Sequence, residues 1–120
     1  MTEFPKLHIN LEKIKKNTET IVNIAKRSGI EIVGVTKASC GDPNVGKAML
    51  AGGAKGLADS RISNIKRLKE KLPDISCMLL RSPMLSEISE VVQYADSSIN
   101  TELRVVKSLD KESRIQRKTH

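Results

Sequence analysis

"EIVGVTKASCGDP", residues 31–43, is the stretch in which fold and chemistry meet. Residues 31–36 are rich in β-branched side chains and nearly all apolar, the composition of a parallel strand covered on both faces. The run stops abruptly at Lys37. Asp42 and Pro43 follow within six residues, a capping carboxylate and a first-turn proline that together announce a helix. An ammonium at the mouth of a buried strand calls for an explanation.

Working outward, the same alternation recurs. "LHIN" (7–10) reads as a strand, and Asn10 as the N-cap of a helix carrying Leu11, Ile14, Ile21, Val22 and Ala25 until Ser28-Gly29. The helix opened by Pro43 runs to Gly52-Gly53. "GLADS" (56–60) is a third strand, and Ile62, Ile65, Leu68 and Leu72 mark the helix that Pro73 closes. "ISCMLL" (75–80) is a fourth strand. Ser86 starts a helix that buries Ile88, Val91, Val92 and Ala95. "SSIN" (97–100) is a short strand, and Asn100 or Thr101 begins a last helix through Leu103, Val106 and Leu109. This is an α/β pattern of about five βα units with short connections, which implies a parallel sheet with right-handed crossovers. An open doubly wound sheet and part of a (β/α)8 barrel both fit. A whole barrel needs about 250 residues, and this chain has 120.

The totals narrow the function classes. Aromatic residues make up 2% of the chain, so there is no platform on which bases would stack. The net charge is +7, but +4 of it lies in residues 104–120, as expected of a solvated helix face or loose end. Neither a nucleic-acid partner nor a membrane is expected; no apolar run reaches the length of a span, and no secretion signal opens the chain. Cys40 and Cys77 form no CxxC motif and suit a reduced, cytoplasmic protein. No His, Cys, Asp or Glu set has metal-ligand spacing, so no metal is expected. His8 and His120 lie outside any cluster.

In parallel α/β folds the loops at the carboxyl ends of strands surround the site. Lys37, Asp59-Ser60-Arg61, Arg81 and Asn100 all occupy such ends. A lysine there can form a Schiff base when partly desolvated; it can equally be a surface lysine at a strand terminus. Arg81 can pair with a substrate carboxylate or form a structural ion pair. Ser60 and Asn100 can donate hydrogen bonds to a site or cap helices. Cys40 is close in sequence to Lys37 and reads as a small loop or core residue.

"VGVTKASCGDPNVGKAMLAGGAKGLADSRISNIKRL" resembles the N-terminal part of the alanine-racemase-like, fold-type III enzymes that use pyridoxal 5′-phosphate (PLP). "GVTK", "CGDP", "ADSRI.N" and "LLRSPM" are most similar to the ornithine racemase-type branch of amino-acid racemases. The resemblance extends over residues 5–110, and it rests on the order and spacing of these motifs together. It implies a TIM-type barrel, here its N-terminal portion as a partial, truncated domain over 1–120. It implies PLP as cofactor, and Lys37 as both the residue that carries it and a catalytic base. It implies an amino-acid substrate, with Arg81, Ser60 and Asn100 as weaker candidates for substrate contacts.

Such enzymes complete an eight-stranded barrel and place the phosphate and pyridine contacts later in the chain. The expectation is therefore a lysine-bearing half that is inactive alone, completed by a missing C-terminal half or by forming a homo-oligomer. A non-catalytic PLP-binding protein of cofactor homeostasis and an inactive fragment are the alternative functions.

Overall fold

The computed structural model describes residues 4–120 and contains four parallel strands and five α-helices. The helices are α1 (Leu11–Lys26), α2 (Pro43–Ala51), α3 (Ile62–Lys71), α4 (Ile88–Tyr94) and α5 (Leu103–Gln116). The strands are β1 (Val33–Val35), β2 (Gly56–Asp59), β3 (Cys77–Leu79) and β4 (Ser97–Ser98), side by side in the order β1-β2-β3-β4. A doubly wound sheet reverses its strand order at a switch point; this sheet does not. Sequential order with crossovers of one hand places successive helices on one face, as in a barrel wall.

Local chemistry explains most boundaries. Asn10 caps α1 by accepting from Lys13 N at 2.9 Å. Asp42 caps α2 by accepting from Asn44 N and Val45 N at 2.8 and 3.0 Å, and Pro43 is the first residue of that helix. At the far end of α2, a Cβ on Gly52 would lie 2.6 Å from the carbonyl oxygen of Lys15, so the absent side chain lets α1 and α2 pack closely. The helix opened at Ser86 begins as a 3-10 turn, Leu85–Glu87, before α4.

The first expected strand, residues 7–10, is not one. Leu7 and Ile9 are exposed, and the segment runs extended into the α1 cap without a ladder. Alternation of apolar residues cannot supply the partner that a strand needs.

The second correction concerns cover. Gly34, Leu57, Cys77 and Leu79 point to the helix side and are buried, together with Ile65 and Leu68 of α3 and Val91 and Val92 of α4. On the opposite face Val33, Val35 and Ile99 remain 37%, 40% and 51% exposed. Residues 31–36 were expected to be covered on both faces; one face is covered. The helices pack on the other side of the sheet; on this one the small Gly56 and Ala58 of β2 are buried between larger neighbours. The Cα radius of gyration, 16.1 Å, exceeds the roughly 13.6 Å of a compact chain of this length, as a slab with an open face should. In α5, Val105 and Leu109 are buried, while Leu103 and Val106 of the expected stripe are exposed.

At the amino ends of the strands, Asp96 accepts from Cys77 N at 2.8 Å and from Lys69 Nζ at 2.9 Å. Burial raises its carboxyl, but the Lys69 ammonium and the Cys77 amide outweigh that and hold it below its ordinary value. Burial pushes the Cys77 thiol up to about 11, which makes it an inert core residue. Among the described residues no helix is long and apolar enough to cross a membrane.

Candidate functional site

The carboxyl ends of the four strands form one rim. Val35, Ala58, Met78 and Ser97 are in register across the sheet. Two residues beyond that row stand Lys37, Ser60, Leu80 and Ile99. The ladder continues into the rim through Thr36 N to Ala58 O, Leu80 N to Asp59 O and Ile99 N to Leu79 O, at 2.9, 2.9 and 3.0 Å.

Lys37 opens a single 3-10 turn, Lys37–Ser39, between β1 and α2. It is exposed, so the partial desolvation anticipated for it is not provided by the described residues. Among these residues its Nζ takes part in no hydrogen bond or ion pair. Its backbone is closely held. Thr36 O accepts from Ser39 N, Gly41 N and Ser39 Oγ at 3.0, 3.1 and 3.0 Å. Cys40 and Gly41 both adopt left-handed backbone, with φ of 53° and 67°, which reverses the chain sharply towards Asp42. Cys40 is exposed, and its carbonyl accepts from Arg67 Nη1 at 2.6 Å.

Ser60 and Arg81 are brought together. Arg81 Nε donates to Ser60 O at 2.6 Å, and Nη2 donates to both carboxylate oxygens of Glu87 at 3.0 and 3.2 Å. Glu87 in turn accepts from Met84 N at 3.0 Å. The guanidinium thus ties the β2 end, the β3 end and the turn before α4, leaving Nη1 uncommitted among the described residues. The ion-pair reading of Arg81 is realised here.

Asn100 stands apart. Its Nδ2 donates to Ser98 O and Ser98 Oγ at 3.1 and 2.9 Å, while its Oδ1 is buried without a partner among the described residues. It lines a cavity of ≈ 300 Å³ between β4 and α5 with Val106, Leu109 and His120, and neither Lys37 nor Arg81 lines that cavity. His120 contacts Ser98 Oγ and Ala95 O. His8 is exposed ahead of α1. Among the described residues no group of three or more His, Cys, Asp or Glu is placed to hold a metal.

Sequence reasoning missed how much of the rim depends on Asp59. It is fully buried and accepts from Thr36 Oγ1 at 2.8 Å, Arg61 N at 3.0 Å and Asn64 Nδ2 at 3.0 Å. The available signal was parity: two residues after Leu57, an acid in "GLAD" lies on the helix-covered face.

The family model described as "Alanine racemase, N-terminal domain" matches residues 9–120. A lysine racemase of Thermotoga maritima is 41% identical over 111 residues, which are 92% of this chain and 31% of that protein. An ornithine racemase of Acetoanaerobium sticklandii is 37% identical over 117 residues, 98% of this chain and 33% of that one. The chain thus spans about a third of the length of these relatives. Among solved structures, D-threonine aldolase from Filomicrobium marinum superposes with a TM-score of 0.82 at 16% identity, covering 98% of this chain and 32% of that one. Alanine racemase from E. faecalis superposes with a TM-score of 0.69 at 18% identity, covering 88% and 29%.

Proposed function

The chain belongs to the alanine racemase N-terminal domain family, and from that premise we propose that Lys37 carries PLP covalently in a protein that racemises an amino acid. The observation that supports this most directly is the state of the amine. Lys37 projects from the carboxyl end of β1 with no carboxylate in ion-pair range among the described residues, on a turn held by the amides of Ser39, Cys40, Gly41 and Asp42. A primary amine presented in this way suits the aldehyde of PLP. When bound, PLP withdraws electrons from the amino acid's α-carbon and makes its proton removable. Once the substrate's amino group has displaced it from the cofactor, Lys37 Nζ would be free to act as the base at one face of that carbon.

The remaining rim groups have smaller parts. Ser60 Oγ and the uncommitted Nη1 of Arg81 are proposed as donors to the substrate carboxylate. Asn100, which lines the separate cavity between β4 and α5, is proposed as a weaker contact through its Oδ1, an acceptor for an amino group with no partner among the described residues; its Nδ2 is committed to Ser98. The substrate class proposed is a diamino acid, on the printed names of the two relatives. The test is α-proton exchange in D2O with ornithine, lysine and alanine, using the protein at its full natural length with PLP. Exchange of a diamino acid that Lys37→Ala abolishes is the expected result. Exchange that persists in Lys37→Ala overturns the role of Lys37. PLP held on Lys37 without exchange of any amino acid overturns the racemase and leaves a cofactor-binding protein.

A further inference from the structure

Among the described residues Lys37 has no partner at its amine and is clamped at its backbone, and the clamp converges on one carboxylate. Asp59 Oδ2 reaches across the sheet to Thr36 Oγ1, the residue immediately before the lysine. Asp59 Oδ1 accepts from Asn64 Nδ2 on α3. Asn64 forms the floor beneath Gly41, where an added Cβ would lie 2.7 Å from Asn64 Cβ. One end of the lysine turn is therefore hydrogen-bonded to Asp59, and the other rests on the residue that Asp59 orients.

We propose that Thr36, Asp59 and Asn64 are positioning residues for Lys37, a buried brace that fixes both ends of its turn; the proposal rests on the reading of Lys37 as the PLP-carrying residue. A simpler role, starting α3, accounts for only part of what Asp59 does. The bond from Arg61 N engages Oδ1, and an exposed carboxylate serves that purpose equally well. Asp59 is instead fully buried, has no Lys or Arg in ion-pair range among the described residues, and directs its second oxygen away from α3 to β1. Burying a carboxylate without a counter-ion is unfavourable, and an apolar side chain would fill the same space without that desolvation. The arrangement is explained by what it holds in place. Thr36 O, steadied by this contact, is the acceptor for three donors of the turn.

The test compares Thr36→Val, which removes the hydroxyl, with Thr36→Ser, which keeps it, in the full-length protein. Asn64→Ala, which keeps the Cβ under Gly41 but removes the amide that bonds to Asp59, serves as a second variant should Thr36→Val not fold. Two readouts are needed. Hydrogen exchange of the Ser39 and Gly41 amides, without cofactor, should rise about fivefold in Thr36→Val and Asn64→Ala relative to Leu57 and Leu79, and stay unchanged in Thr36→Ser. The rate of PLP attachment at Lys37, trapped by borohydride and mapped by peptide mass, should fall by a similar factor in the same two variants only. Turn exchange that rises no more than at Leu57 and Leu79 overturns the brace, since a purely structural loss affects all amides alike. A loosened turn with an unchanged attachment rate also overturns it, while leaving Lys37 as the carrier. If the wild type forms no adduct at Lys37, the reading of that lysine fails, and the positioning role with it.

Discussion

Lys37 follows β1 and Arg81 follows β3, at the same end of the same sheet, yet their side chains are in opposite states. The turn around Lys37 is held through its backbone and through neighbours, and the amine has no partner among the described residues. At Arg81 the side chain is itself the fastening, bonded to Ser60 O and Glu87, and the loop depends on it. A cation kept available for chemistry needs its support built from other residues. A cation used as a support is, to that extent, unavailable. The contrast separates a reactive position from a structural one more sharply than location does, since both sites lie on the rim.

Lys37→Ala gives the largest contrast. It should abolish the absorbance band of lysine-bound PLP, while unfolding stability changes by no more than about 0.5 kcal/mol, as for an exposed residue. Retention of the band would assign the cofactor to another lysine. Gly41→Ala should break the turn without touching the amine: φ of 67° and the contact with Asn64 both oppose a Cβ, and a loss of about 1–3 kcal/mol is expected in urea unfolding. A neutral effect would mean that the turn is looser than its hydrogen bonds indicate.

Arg81→Ala should do the reverse of Lys37→Ala. Stability should fall by about 1–2 kcal/mol, moderated because the side chain is 37% exposed, and PLP attachment should persist. In an active form, kcat/KM lowered by more than the stability loss explains would show that Nη1 meets substrate; an unchanged value would leave Arg81 wholly structural. The smallest effect concerns the opposite end of the sheet, where Lys69 is also a fastening. Asp96 is held below its ordinary value of 3.8, so its contribution to stability is present above that pH and is lost as pH falls through the lowered folded value. Wild type and Asp96→Asn should therefore differ in urea unfolding at neutral pH and converge in acid. An equal gap at both pH values would remove the Asp96–Lys69 pair as its source.

Caps and apolar runs announced most of the architecture, because their causes are local. Asn10 and Asp42 satisfy amides two or three residues away, and Ile88, Val91, Val92 and Ala95 share a face by helical period alone. Strand status at 7–10 was not legible, because a strand is a property of a pair and no described residue pairs with that segment. Lys37 was singled out by position and by resemblance. That its amine has no partner among the described residues, and that Arg81 bonds to Glu87, appear only when side chains from different elements are placed in space.

The amino-acid sequence by itself determined the order of elements from α1 onward, their parallel sense and the presence of a lysine where β1 ends, since periodicity, capping and chain connectivity act over a few residues. Tertiary structure alone decided which face of the sheet is covered, which cation is bound and which is free, and that Asp59 joins Thr36 to Asn64. Those outcomes depend on side chains that reach other elements, Thr36 with Asp59 across 23 residues and Arg81 with Ser60 across 21, or on packing between layers. A carboxylate in an apolar strand reads as an anomaly until the donors that surround it are in place.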